Sequence, residues 1–239
     1  MAGGVDLHTH TVASDGTLRP RELVADLPQA ASDEKMELAL LDLLPQIYRA
    51  TNADLPVVAE VIANLRRQPG AIEALAQQYR QLPPEAVERR LMVLGMLGEM
   101  KRPDAMAYLL EVVWEPLPVG ESQVEKLTAR DLEEMVQVKA VQGLAYLATP
   151  QADAAVRGVI EKHEALQVRV AAIDAYMWNH GDSPEAATEL YRSLPADLHP
   201  FVERPRFHQG MDREDFMRRL RAWREKWASQ PEPVQGGEK

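Results

Sequence analysis

Apolar residues recur at steps of three and four along most of this chain, and short breaks separate the runs. One such run opens at Pro56, and another follows Gly70. The apolar positions of the first run are Val57, Val58, Val61, Ile62 and Leu65. This spacing places apolar side chains on one side of a helix of about three turns. We therefore predict successive amphipathic helices over residues 35–82, with proline at a helix start and glycine between helices.

The second half of the chain repeats one plan in stretches that begin at Arg89, Val138 and Val168. Each stretch has an early basic residue, a first helix rich in small and apolar residues, a break and a second helix. The breaks carry Pro103, Pro150 and Pro184. The second and third stretches lie about 30 residues apart, and the first lies about 50 residues before the second.

The extra length is residues 114–134, which we call the insert. Pro116, Pro118 and Gly120 predict that it is a loop followed by a helix start. Two short alternating runs, "VQVKAV" and "LQVRVAAI", fall where the plan requires a first helix. Because their flanks continue at helical spacing, we predict helix for both and no sheet.

This plan resembles HEAT repeats over roughly residues 85–195, and armadillo-like hairpins share it. The resemblance implies an all-α fold, an α-solenoid of stacked helical hairpins with a short irregular N-terminal arm. One hairpin cannot bury its apolar side alone, whereas stacked hairpins share a continuous core. The expected units are an arm over residues 1–30, a HEAT-like repeat domain over 31–229 and a disordered tail over 230–239.

Composition narrows the classes of partner and site. The net charge of −10 disfavours binding to nucleic acid, since like charges repel. The chain has no cysteine, which excludes disulfides, thiolate metal sites and cysteine nucleophiles. It also shows no signal-peptide pattern and no apolar run long enough to span a membrane, so we expect a cytoplasmic protein. Glycine-rich phosphate loops and serine-nucleophile elbows are missing from the sequence.

The C-terminal region combines basic and aromatic residues. Asp212 is the expected N-cap of a helix with acidic residues in its first turn. One side of that helix carries Phe216, Leu220, Trp223 and Trp227. Such a stripe either caps the end of the helical core or binds a partner, and the basic charges either are solvated or dock an acidic partner. The candidate partner-binding residues are Arg218, Arg219, Trp223 and Trp227.

The stretch "VDLHTHTVASDGTLRPRELV", from Val5 to Val24, resembles the first motif of the PHP (polymerase and histidinol phosphatase) family of metal-dependent phosphoesterases. The resemblance implies that His8, His10 and Asp15 are metal ligands. Residues two apart on a strand point the same way, so both imidazoles would aim at one point. Nitrogen and oxygen ligands together suit Zn, Mn or Fe, which activate water for attack on phosphorus.

The rest of the chain does not supply that family's distorted β/α barrel or the later ligands that complete its metal site. After His10 the next histidine is His163, and we expect His163 and His180 to be exposed or at hairpin ends. Asp197–His199 matches the family's final Asp-x-His only over three residues. Three interpretations of the motif follow. We prefer the first, in which it is a remnant joined to a helical domain. In the others it is an incomplete metal site or a site completed by another chain.

The sequence therefore favours a non-enzymatic HEAT-repeat interaction scaffold that binds a protein partner. A PHP-type phosphoesterase that uses the N-terminal His-x-His motif is the alternative. No cofactor is expected for the scaffold, and a divalent metal is expected only if that motif is functional. Binding of nucleic acid through the C-terminal arginines is a third and weaker hypothesis.

Overall fold

A computed structural model of the chain describes Leu44, Ile47 and residues 55–119, 123–124, 127–207 and 211–228. Over these residues the protein is predominantly helical, as the apolar spacing predicts. The helices are α1 (Leu55–Arg67), α2 (Ala71–Gln81), α3 (Val87–Glu99), α4 (Ala105–Val113), α5 (Ala129–Tyr146), α6 (Pro150–Lys162), α7 (Leu166–Asn179), α8 (Pro184–Ser193), α9 (His199–Val202) and α10 (Arg213–Ala228). None of the helices described has the length and apolar character to cross a membrane.

The predicted breaks and caps fall at the helix boundaries. Pro150 and Pro184 occupy the first turns of α6 and α8, where the missing backbone N–H costs no helical hydrogen bond. The hydroxyls of Thr149 and Ser183 cap these helices by accepting from backbone N–H groups three residues on. The Asp212 carboxylate accepts from two backbone N–H groups at the start of α10, so that N-cap is also confirmed.

The insert contains a feature that the sequence did not reveal. Gln123–Val124 pairs antiparallel with Leu127–Thr128, so a β-hairpin with two residues in each strand precedes α5. The prediction of no sheet was wrong over these residues, because helical periodicity carries no signal for so short a ladder. The predicted helix start is correct, since Thr128 and Asp131 form a reciprocal capping box at the N-terminus of α5.

Helix α5 is central and packs against α3, α4 and α7. Its Gly143 lies against Gly98 of α3 so closely that a Cβ atom added to Gly98 would be 2.7 Å from the Gly143 Cα. The fully buried side chains Leu94, Leu109 and Leu144 belong to the same core. Burial of each contributes roughly 1.5–3 kcal/mol relative to exposure. Because Gly98 and Gly143 have no side chains, the backbones of α3 and α5 can come into direct contact.

Hydrogen bonds join the helix pairs at a recurring distance along the sequence. We call α1, α3, α5 and α7 the first helices, and α2, α4, α6 and α8 the second helices. The bonds Arg66–Glu99, Glu73–Tyr108, Arg80–Glu111, Arg130–Glu164, Ala145–Asn179 and Arg157–Glu189 all span 31 to 35 residues. Each bond joins one pair to the corresponding part of the next. The spacing includes α1 and α2, whose period the sequence left unclear.

The turns between first and second helices share a backbone conformation. Gly70, Lys101, Ala148 and Gly181 each have a positive φ, of 77°, 51°, 49° and 63°. This left-handed conformation ends a helix readily, and glycine adopts it without a steric penalty. The turn after α7 contains a second such residue, Asp182, with a φ of 53°. The conformation recurs in the turn of each described helix pair, with its longest interval between Lys101 and Ala148, where the insert lies. The turns therefore keep the same conformation although the connections between helix pairs differ in length.

Candidate functional site

The predicted metal ligands His8, His10 and Asp15 lie outside the residues that the structure describes. Within the described ranges, the structure contains no group of three or more acidic, histidine or cysteine side chains arranged to hold a metal ion. The fit of the N-terminal motif to a metal therefore depends on the chemistry of its donors alone. Two imidazoles and a carboxylate are a donor set that suits Zn, Mn or Fe.

The later histidines that the structure describes, His163, His180 and His199, contact nearby protein groups. His163 ends α6, as expected of a hairpin end, but its side chain is buried and its Nε2 lies 3.1 Å from the carbonyl oxygen of Val113. His180 ends α7, is exposed and lies 2.7 Å from the Asp153 carboxylate. The Nε2 of His199 lies 3.1 Å from the Leu194 carbonyl oxygen. The three imidazoles are thus engaged by nearby protein groups.

A buried polar cluster, which we call the Arg90 cluster, joins α2, α3, the insert and α5. The guanidinium of Arg90 donates to both carboxylate oxygens of Glu133, at 2.7 and 2.8 Å. It also donates to the Tyr79 hydroxyl at 2.6 Å and to the Glu115 carboxylate at 3.4 Å. Gln137 fixes the same segment by donating to the backbone oxygen of Glu115 at 2.7 Å. Spacing in the sequence did not predict this cluster.

Electrostatics explain why Arg90 keeps its charge inside the protein. Burial opposes the charge on Arg90, but its hydrogen bonds to Glu133 and the adjacent Tyr79 and Glu133 hold its pKa above the usual value. Burial and the adjacent charge of Glu133 raise the pKa of Glu115. Burial also raises the pKa of Tyr79. The guanidinium of Arg90 is engaged by all three neighbours, so these contacts hold the helices and the insert together.

A partly apolar surface lies on the exposed side of the first helices, and we call it the first-helix face. Residues at steps of three and four place these side chains on one side of α3, α5 and α7. The face consists of Met92, Gly95, Met135, Lys139, Tyr146 and Trp178. Met135 and Trp178 are each 44% exposed and Tyr146 is 39% exposed. Exposed aromatic and methionine side chains are enriched at protein interfaces.

Lys139 lies in the middle of this face. Its aliphatic chain packs over Gly95, because a Cβ atom at that position would be 3.1 Å from the Lys139 Cε. Burial lowers the pKa of Lys139, while the charge of Glu99 opposes that effect. A partner carboxylate placed here would stabilise the charged amine. The face thus combines apolar contacts with one cation.

Helix α9 packs against α7, and Arg206, which follows it, also contacts α7. The buried guanidinium of Arg206 lies 2.8 Å from the Asp174 carboxylate and 3.1 Å from that of Asp182. It also donates to the backbone oxygen of Phe201 at 2.9 Å. Burial raises the pKa of Asp174, and the adjacent Arg206 and Arg204 partly offset the shift. These contacts hold the C-terminal segment against the last helix pair.

The predicted partner-binding residues of α10 fall on different sides of that helix. The indole Nε1 of Trp223 donates to the Pro200 carbonyl oxygen at 2.8 Å, and both Trp223 and Trp227 are partly buried. Arg218 and Arg219 are exposed and both form ion pairs with Asp215. The Trp223 indole therefore joins α10 to Pro200, whereas the buried core of the described residues includes no residue of α10. The arginines remain accessible, and partner binding by these four residues stays a prediction.

Comparison of the chain with protein-family models, curated proteins and solved structures found no match. The sequence pattern and the geometry of the described residues are accordingly the basis for the functional argument. The motif resemblances remain resemblances, and no transferred residue role supports the site.

Proposed function

We propose that this protein is a non-enzymatic interaction scaffold, an α-solenoid of HEAT-like helical pairs that binds a protein partner through the first-helix face. The observation that carries the proposal is the set of hydrogen bonds at separations of 31 to 35 residues, which link corresponding parts of the first and second pairs and of the third and fourth pairs. A stack built by such translation has an extended surface for binding. The step from stacked helices to binding is an analogy with other solenoids.

The first-helix face supports the choice of binding surface. Lys139 has a lowered pKa because of burial. Exposed Met135 and Tyr146 lie four and seven residues from it along α5, and exposed Trp178 lies near the end of α7. Large side chains of this type supply most of the binding energy at protein interfaces. By contrast, the buried Arg90 cluster is saturated by internal contacts and serves stability.

Affinity capture from a native lysate tests the proposal when a variant of the face is matched by a control variant. Trp178→Ala removes an aromatic side chain from the face, and Trp114→Ala removes one of similar exposure from the end of α4. We expect specific partners to be lost with Trp178→Ala and retained with Trp114→Ala. Equal recovery in both variants would reject the face, and no enrichment over a tag-only bait would reject the scaffold.

The second candidate function is a PHP-type metal-dependent phosphoesterase, which the residues His8, His10 and Asp15 favour. A bound metal would supply an activated water for phosphoester hydrolysis. Metal analysis and hydrolysis of a chromogenic phosphate ester test this candidate. Substoichiometric metal and no hydrolysis after loading with Zn, Mn or Fe would reject it. Activity that is unchanged in His8→Ala with His10→Ala would also reject it.

A further inference from the structure

One exposed flank of α10 carries an arginine stripe, next to the side of the helix that contacts the rest of the protein. On the packed side, Trp223 donates to Pro200, and Phe216 packs edge-on against Phe207 with ring centroids 5.4 Å apart. The adjacent flank carries Arg213, Met217, Arg221 and Arg224, which follow each other at steps of four, four and three. We call these four exposed residues the α10 stripe. Their spacing places them on one side of a helix.

The arginines of this stripe differ from most other arginines in their hydrogen bonds and ion pairs. Most arginines of the described chain have an acidic or carbonyl partner, and Arg66, Arg80 and Arg157 link successive helix pairs in this way. No hydrogen bond or ion pair within the described residues engages Arg89, Arg192, Arg213, Arg221 or Arg224. Three of these five belong to the α10 stripe, so arginines without internal partners are concentrated there.

We propose that the α10 stripe binds an acidic amphipathic helix of a protein partner. Carboxylates of that helix pair with Arg213, Arg221 and Arg224, and an apolar side chain lies against Met217, which is 38% exposed. Guanidinium groups bind carboxylates through two parallel hydrogen bonds, which fixes both position and orientation. The inference deepens the proposed scaffold function, on which it rests, by naming a second surface and the chemistry of its partner.

Charge favours an acidic protein helix over nucleic acid at this surface. The chain has a net charge of −10, which repels a long polyanion on approach. Exposed Glu214 and Glu225 border the stripe and would face the phosphates that flank the bound ones. A helix with acidic residues only at the matching positions avoids both penalties. It can also place one apolar residue opposite Met217, which a phosphate backbone cannot do.

The probe is a fluorescent alanine-based helical peptide with glutamate at positions i, i+8 and i+11 and leucine at i+4. A peptide of equal composition, with glutamates distributed around the helix, serves as the comparison. We expect the patterned peptide to bind the full chain more tightly than the comparison peptide, in an anisotropy titration at low salt. Binding should weaken as salt is raised.

Charge reversal supplies the decisive test. Reversal of Arg213, Arg221 and Arg224 to Glu should weaken binding of the patterned peptide by about tenfold or more, since each exposed pair contributes roughly 0.5 kcal/mol. Reversal of Arg89 and Arg192, which also lack internal partners, should change it by less than about threefold. Circular dichroism confirms that both variants keep their helices.

Equal weakening by both reversals, or equal affinity for both peptides, would overturn the inference. Tighter binding of duplex DNA than of the patterned peptide would also overturn it. These outcomes leave the scaffold proposal open, because its capture experiment depends on Trp178 in the first-helix face. If the unmodified chain enriches no partner over a tag-only bait and the peptide titration is positive, the scaffold is rejected and the acidic-helix site is retained.

Discussion

Two junctions between helix pairs are held by different kinds of contact. The interrupted junction joins α3–α4 to α5–α6 across the insert, and it contains the buried Arg90–Glu133 ion pair and the close approach of Gly98 to Gly143. The regular junction joins α5–α6 to α7–α8 without an insertion. It is held at its edges by Arg130–Glu164, Arg157–Glu189 and the hydrogen bond from Asn179 to Ala145.

The difference shows how the protein accommodates an irregular spacing. At the regular junction the polar contacts follow the common sequence separation and use partly exposed side chains. At the interrupted junction the Arg90–Glu133 ion pair joins residues 43 apart in the sequence and is buried. Removal of either residue therefore leaves the other charge buried without a counterion. We infer that the insert is compatible with continuous packing because internal contacts fix α3 against α5 and fix the start of the insert.

The largest expected effect is the loss of the buried guanidinium. Arg90→Met leaves Glu133 buried without its counterion and should lower the free energy of unfolding by about 3–5 kcal/mol. Arg157→Met at the regular junction removes an exposed pair and should cost less than about 1 kcal/mol. Urea denaturation of both variants measures the difference.

The double variant Arg90→Met with Glu133→Met sharpens this comparison. Replacing both charges by apolar groups should recover most of the lost stability, because no unpaired charge remains in the core. If the two single arginine variants lose equal stability, the distinction between the junctions is wrong. If the double variant is no more stable than Arg90→Met, the ion pair is not the cause.

The next effect concerns the helix approach at the interrupted junction. Gly98→Ala places a Cβ atom 2.7 Å from the Gly143 backbone and should cost about 1–3 kcal/mol by forcing the helices apart. Gly158→Ala in α6 is the matched control, since a Cβ atom there meets nothing within 4 Å. That control should stabilise the protein by roughly 0.5–1 kcal/mol. Thermal unfolding distinguishes the two, and a stabilising Gly98→Ala would contradict the close approach.

The smallest expected effect is a pH dependence at the insert. Burial raises the pKa of Glu115 in the folded protein, so the native state retains this proton to a higher pH than the unfolded chain does. Stability from this group therefore falls as pH rises through the window between the ordinary and the raised pKa. Glu115→Gln should remove that fall and increase stability at neutral pH by less than about 1 kcal/mol.

Asp131→Asn provides the opposite control in the same insert. Hydrogen bonds from Thr128 lower the pKa of Asp131, so its contribution to stability is present above the ordinary carboxyl pKa and is lost as pH falls through the lowered one. The asparagine variant should therefore lose stability at neutral pH. Urea midpoints measured from acidic to neutral pH should show opposite signs for the two variants, and a common sign would contradict the assignment.

Local signals in the sequence predicted much of the helical architecture. Apolar periodicity located α1 to α8, and proline with Thr149 or Ser183 marked the starts of α6 and α8. Asp212 marked the start of α10. These features succeed because caps and amphipathic stripes depend on residues within one or two helical turns. The stacked arrangement itself remains a proposal.

Contacts between distant residues could not be predicted in this way. Helical periodicity gives no reason to pair Arg90 with Glu133, yet the two form a bidentate pair. Their separation depends on the path of the insert, which periodicity does not specify. For His163 we predicted an exposed position or a hairpin end. It lies at the hairpin end, but its side chain is buried and contacts the Val113 carbonyl oxygen. Candidate sites depend on such long-range geometry more than helices do.

The recurrence of one backbone turn on both sides of the insert has a consequence for protein engineering. Lys101 and Ala148 adopt nearly the same φ although the chain between them is longer than in the neighbouring interval. The conformation of the turn after a first helix is thus independent of the length of the connection that follows a second helix. Val119 lies fully exposed within that longer connection. A peptide epitope grafted beside Val119 would be displayed at the surface, with the helix ends on either side unchanged.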